Sequence, residues 1–146
     1  MKNNMRIRII GDRSGLRDDI QKAIENIEHE SMNNDGLQFT IAINYGSRDE
    51  IIRAMRRMLQ EGHSAPDDIT EDLFSSYLDT SDIPDPDLLI RTSGEERISN
   101  YLLWQIAYSE LYFTDVLWPD FDRNCLIDAV RAYTNRDRRF GGVKQV

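Results

Sequence analysis

Arg91, Arg97 and Ser99 fall within one short stretch, DLLIRTSGEERISNYLLW, at positions 87–104. Two guanidinium forks, a hydroxyl and the free amides of a helix start are the donors that a phosphate or diphosphate cradle requires. Charge-assisted hydrogen bonds contribute about 1.5–3 kcal/mol each. Three of them would give about 5–9 kcal/mol gross, before the cost of immobilising a ligand. A plainer reading uses the same residues. Ser99 would cap a helix, while Arg91 and Arg97 pair with Glu95, Glu96 or the Asp85/Asp87 run, because ion-pair networks imitate sites. Spacing alone favours the plainer reading.

The flanking elements decide where these groups would sit. LLIR reads as a short, fully buried strand, which puts Arg91 at its carboxyl end. SNYLLWQIAYSE reads as a helix with Ser99 or Asn100 at its N-cap. Before them, MRIRIIGD reads as a strand closed by Gly11 and Asp12, and Ile20, Ala23, Ile24 and Ile27 recur at helical spacing up to about Ser31. LQFTIAINYG gives a second strand with Phe39, Ile41 and Ile43 on one face. Ser47 and Glu50 fit a capping box for a helix whose apolar side is Ile51, Ile52, Met55, Met58 and Leu59. A shorter helix buries Leu73, Phe74, Tyr77 and Leu78, and the prolines of DIPDPD prevent its continuation. LYFTDVLW is a fourth strand. Pro119 and Asp122 introduce a last helix with Leu126, Ile127, Val130 and Tyr133 inward and a cationic end at Arg136, Arg138 and Arg139. The order implies an α/β fold of about four largely parallel strands flanked by helices, in one domain over 1–146. In such sheets ligands bind beyond the carboxyl ends of strands, where the opening stretch lies.

The 18 basic and 26 acidic residues give a formal charge of −8, which argues against a nucleic-acid footprint but not against one local anion site. Cys125 is the single cysteine, so no internal disulfide forms, and a cytoplasmic setting fits. No apolar run is long enough to cross a membrane, and the start lacks a signal-peptide core. His29 and His63 read as surface residues and Cys125 as a buried small side chain.

The run PDPDLLIRTSGEERISNYLLWQIAYSELYFTDVLWPDF closely resembles the C-terminal signature of the cis-prenyltransferases, the undecaprenyl diphosphate synthase family. RIRIIGD, IAINYGSRDEI and RDRRFGG extend the likeness from Met5 to Gly142. The resemblance implies a transferase that condenses isopentenyl diphosphate onto an allylic diphosphate such as farnesyl diphosphate, with Mg2+, making a polyprenyl diphosphate for a cell-wall lipid carrier. It implies that Arg91, Arg97 and Ser99 bind the isopentenyl diphosphate group and that Glu110 is a magnesium ligand. It also implies that Arg139 and Gly141 reach across a homodimer interface, and that a membrane surface is met through the lipid product. Asn44, Arg48 and Glu50 match a family segment too, but read as a strand exit, a cap and a helix start. Tyr101, Trp104, Tyr108, Tyr112 and Phe113 read as core or dimer interface.

The family's DGNGRWA segment, whose aspartate holds magnesium and the allylic diphosphate, does not occur in these 146 residues. Nor does its FSTENWKR-like element. The chain therefore resembles the C-terminal three-fifths of a member, a truncated form of the fold that keeps the isopentenyl half-site and none of the catalytic aspartate chemistry. Two expectations follow: a transferase by descent that is inactive alone, or a non-catalytic partner subunit that completes a synthase dimer.

Overall fold

A computed structural model describes residues 4–136. The elements are β1 (Arg6–Ile10), α1 (Asp18–Ser31), β2 (Gln38–Ala42), α2 (Ser47–Gln60), α3 (Glu71–Ser76), β3 (Leu88–Arg91), β4 (Glu110–Phe113) and α4 (Arg123–Thr134). Both strand pairings are parallel, as expected for an α/β chain, but they form two separate two-stranded ladders, β1–β2 and β3–β4. The chain divides into two compact units. One holds residues up to Pro84 together with Asn100–Leu103, and the other holds Asp85–Ser99 and the chain from Trp104 onward.

In the first unit, Arg6 pairs with Gln38 and Ile10 with Ala42. Ile9, Ile10, Ile24, Ala54, Met58, Phe74 and Leu78 are buried. Acidic Asp18 and Asp19 open α1, where carboxylates suit the positive end of the helix dipole. The turn after β1 needs Gly11. Its φ is +118°, and an added Cβ would lie 2.1 Å from Ile43 O.

The expected inner face of α2 is corrected. Ser47, Glu50, Ala54 and Met58 are buried, while Ile52, Met55 and Leu59 are exposed. At helical spacing these two sets lie on different sides of the helix, so the apolar pattern had merged two stripes. The inward turn of Glu50 has a clear cause: its carboxylate accepts from Tyr45 Oη at 2.5 Å and from Asp79 N at 2.9 Å. The capping box is also absent. Gly46 is the N-cap, and Asn100 satisfies the first turn instead: its O accepts from Ser47 N at 2.8 Å and its Oδ1 from Arg48 N at 3.0 Å. Ser47 Oγ accepts from Leu103 N at 2.9 Å.

In the second unit, Leu88 pairs with Glu110 and Arg91 with Phe113. The β3 residues are all half-buried rather than fully buried. Asp122 caps α4, accepting from Asn124 N and Cys125 N, and Ala129 is fully enclosed, whereas Leu126 and Val130 are exposed. The helix expected over 99–110 does not form. Ser99, Asn100 and Leu102 have φ of 54°, 61° and 48°, in the left-handed region that a right-handed helix cannot use. Tyr101, Tyr108 and Phe113 are exposed, and Trp104 and Tyr112 half-buried, so none of these aromatics is core. Cys125 is half-buried, His29 exposed, and His63 partly covered by Tyr77.

Candidate functional site

The carboxyl edge of the β3–β4 ladder carries the candidate site. Thr114 N donates to Arg91 O at 3.0 Å, Gly94 N to Thr114 O at 3.0 Å, and Ser93 N to Val116 O at 2.9 Å. These bonds zip the loop after β3 to the loop after β4. Left-handed φ values at Ser93 and Gly94, 70° and 66°, let the first loop turn tightly enough to do so.

Arg91 leaves the end of β3 with its Nε buried and without a hydrogen-bond partner. A buried donor left unpaired is costly, and for a cationic fork the cost is relieved by an anionic acceptor. Arg97 instead pairs with Glu95, both on the surface. That is the plainer arrangement considered from spacing. Ser99 is exposed and begins no helix, so the expected cluster of free helix amides beside it is not formed.

Glu110 lies elsewhere. It pairs with Leu88 at the amino end of the ladder, three residues from the Arg91–Phe113 pair, which is about 10 Å along a strand. Its Oε2 accepts from Arg136 Nη1 at 2.6 Å, and Arg136 Nη2 also donates to Leu111 O at 2.9 Å. The strand register therefore separates Arg91 from Glu110. Arg139 and Gly141, with the rest of RRFGG, lie outside the described residues. Arg136 read from sequence as dipole compensation; its role as the clamp on Glu110 had no signal in spacing.

The first unit has its own polar centre, also unmarked in the sequence. Asp79 accepts from Arg53 Nη1 at 3.0 Å and Nη2 at 2.8 Å and from Gly11 N at 3.1 Å, with Arg57 at 3.4 Å. Burial disfavours its charge, but the Arg53 hydrogen bonds outweigh this and hold the carboxyl below its ordinary range. Burial likewise opposes ionisation of Glu28, and the bonds from Arg13 and from Ile9 N win. Tyr45 is pushed well above the usual phenol range, first by burial and then by the Glu50 carboxylate it serves. Asn44 Nδ2 donates to Asp12 O at 2.9 Å, joining the exits of β1 and β2. Asn44 thus serves the strand exits, as read, whereas Glu50 does not open α2 as a cap but holds Tyr45 and Asp79 N. A cleft of about 640 Å³ opens beside Asp79, lined by Arg8, Arg13, Arg53 and Arg57, but these arginines already have carboxylates.

Parallel strands flanked by helices, with Arg91 at a loop-built carboxyl edge, define an α/β protein. The family model described as "Putative undecaprenyl diphosphate synthase" matches residues 1–141, and the chain belongs to that cis-prenyltransferase family. It is 55% identical over 146 residues to an isoprenyl transferase of Fusobacterium nucleatum, covering 100% of this chain and 62% of that protein. It is 50% identical over 143 residues to the (2E,6E)-farnesyl-diphosphate-specific ditrans,polycis-undecaprenyl-diphosphate synthase of Vibrio cholerae, covering 96% of this chain and 57% of that one. Among solved structures, lavandulyl diphosphate synthase from Lavandula x intermedia, in complex with dimethylallyl diphosphate, matches with a TM-score of 0.90 and 40% identity over 97% of this chain and 62% of that chain. A probable undecaprenyl diphosphate synthase from Campylobacter jejuni matches with a TM-score of 0.87 and 37% identity over 97% of this chain and 65% of that chain. The chain thus spans about three-fifths of the length of these relatives.

Proposed function

We propose that this chain binds isopentenyl diphosphate at the carboxyl edge of β3, through Arg91, Arg97 and Ser99, and does not complete prenyl transfer by itself. The observation that carries this is the buried, unpaired Nε of Arg91 at the end of a parallel strand. A diphosphate oxygen is the acceptor it lacks. Arg97 would exchange its surface carboxylate for the same ligand, because exposed ion pairs are worth only about 0–1 kcal/mol. The Ser99 hydroxyl would add a neutral donor. Arg139 and Gly141 are further candidates for that diphosphate, and Glu110 for Mg2+.

The donor chemistry at Glu110 suits magnesium, which takes one or two carboxylates and fills its shell with water and phosphate oxygens. When bound it would supply a hard cation to phosphate oxygens brought to that end of the ladder. Arg136 now provides a cation to that carboxylate, so the metal and this guanidinium compete. Among the described residues no group of three or more His, Cys, Asp or Glu side chains is placed to hold a metal. The whole family reaction also needs an aspartate to hold the allylic diphosphate as it ionises, and no DGNGRWA segment occurs in these 146 residues. We infer a cytoplasmic setting. Among the described residues no helix is long and apolar enough to cross a membrane.

Calorimetric titration of isopentenyl diphosphate tests the assignment. Arg91→Ala should weaken binding by roughly 10-fold or more, the equivalent of one charge-assisted bond. Arg97→Ala should weaken it less. Unchanged affinity in both variants would sink the site. Polyprenyl product formed from farnesyl and isopentenyl diphosphates with magnesium by the purified chain would overturn the claim that it does not turn over alone.

A further inference from the structure

Thr114, half-buried just after β4, serves the loop that follows Arg91 with its main chain and with its side chain. Its N donates to Arg91 O at 3.0 Å and its O accepts from Gly94 N at 3.0 Å, so one residue closes a ring around Thr92 and Ser93. Its hydroxyl acts one step further on, where Thr114 Oγ1 accepts from Val116 N at 3.3 Å. A threonine hydroxyl that bonds the amide two residues later shapes the turn between them. The shape of that turn reaches the loop, because Val116 O accepts from Ser93 N at 2.9 Å.

The loop needs such support. Ser93 has a φ of 70°, and left-handed backbone at a residue other than glycine persists only where its surroundings over-determine it. The turn from Thr114 to Val116 is that surrounding. The two loops are also close through a side chain, since a Cβ added at Gly94 would lie 3.1 Å from Asp115 Oδ1. Arg91 stands at the start of this ring. Its pairing with Phe113 holds it within the ladder, and Thr114 N holds its carbonyl. The direction in which its side chain leaves the strand is thereby set, and with it the place of the buried Nε that has no acceptor. A donor held in place before the ligand arrives binds it more tightly than one that must first be ordered.

We propose that Thr114 is a positioning residue for Arg91, its hydroxyl shaping the turn that holds the guanidinium ready for a diphosphate. Thr114 itself touches no ligand in this arrangement. It acts only through the loop and the arginine. The effect on binding rests on the reading of Arg91 as a diphosphate ligand, whereas the positioning is a property of the free chain and can be measured without one. A threonine that merely ended β4 would influence stability but would have no particular tie to Arg91.

Thr114→Val keeps the β-branched shape and the main-chain groups and removes only the hydroxyl. In NMR spectra of the full chain without ligand, the Arg91 Nε–H signal, identified by its loss in Arg91→Lys, should be protected from solvent exchange. Thr114→Val should speed that exchange by roughly 2- to 10-fold, the equivalent of one neutral hydrogen bond, and Thr114→Ser should restore the protection. In calorimetric titration of isopentenyl diphosphate, Thr114→Val should weaken binding by a similar factor and Thr114→Ser should not. The double variant Arg91→Ala/Thr114→Val should bind no more weakly than Arg91→Ala alone, because one residue acts through the other. Unchanged exchange in Thr114→Val, no rescue by Thr114→Ser, or additive losses in the double variant would overturn the proposal. Unchanged affinity in Arg91→Ala would instead sink the diphosphate reading, and the exchange measurement would still decide the positioning.

Discussion

Asp79→Ala should be among the most destabilising single changes in the first unit. The side chain is only 10% exposed and Arg53 only 23%, so their two hydrogen bonds are shielded from water. Removing one partner of a buried pair costs about 3–5 kcal/mol. Arg53 keeps Asp49 at 2.8 Å, which places the loss near the lower bound. Gly11 N loses its acceptor as well, adding about 1 kcal/mol. The sum is about 4 kcal/mol, or roughly a 10 °C fall in Tm for a chain of this size. Asp79→Asn keeps the shape and one acceptor and should cost about 1–2 kcal/mol. Urea unfolding followed by circular dichroism measures both. The pH dependence has a definite sign. The folded carboxyl titrates below its unfolded value, so its stabilisation is present at neutral pH and is lost as pH falls through the folded value, below about pH 4. The gap between the wild type and Asp79→Asn should therefore shrink in acid. A Asp79→Ala variant within about 0.5 kcal/mol of the wild type, or a gap that does not change with pH, would refute the reasoning.

Two further changes test other parts of the structure. Gly11→Ala combines a φ of +118° with a Cβ 2.1 Å from Ile43 O, and should cost at least about 3 kcal/mol by the same urea assay. Arg136→Ala should leave stability within about 1 kcal/mol, because its pair with Glu110 is partly exposed. It should strengthen magnesium binding measured by calorimetry with isopentenyl diphosphate present. Unchanged or weaker magnesium binding would count against Glu110 as the ligand.

What the sequence could show followed from periodicity. The positions of all four strands, three of the helices and the exit of Arg91 from β3 were legible, because β-branched runs and helical apolar spacing report backbone geometry directly, although the strands read from LQFTIAINYG and LYFTDVLW end at Ala42 and Phe113. The segment after Ser99 was not. Its apolar spacing fits a helix, but Asn100 is drawn to the first turn of α2, and left-handed backbone at Ser99, Asn100 and Leu102 follows. Glu50 was misread because a buried carboxylate leaves no hydrophobic trace; its partners are Tyr45 and Asp79, the latter 29 residues away. Arg136 met Glu110 across 26 residues, equally without a local pattern.

The contrast among the arginines gives the site reading its force. The chain carries 26 acidic residues against 18 basic ones, so carboxylates are not scarce. Around β1 each arginine of the polar centre has found one: Arg8 has Asp82, Arg13 has Glu28, and Arg53 has Asp79. Arg91 stands among Leu88, Leu89, Ile90, Thr92, Ser93 and Gly94, none of which can supply a charge, and the loop bonds to Thr114 and Val116 hold that neighbourhood in place. Its unpaired Nε is thus not a matter of a shortage of acids. Arg97, by contrast, holds a surface carboxylate from two residues away. On the proposed reading, a diphosphate would meet one arginine whose Nε lacks an acceptor and one with an easily exchanged partner, and would not first have to dismantle a buried ion pair.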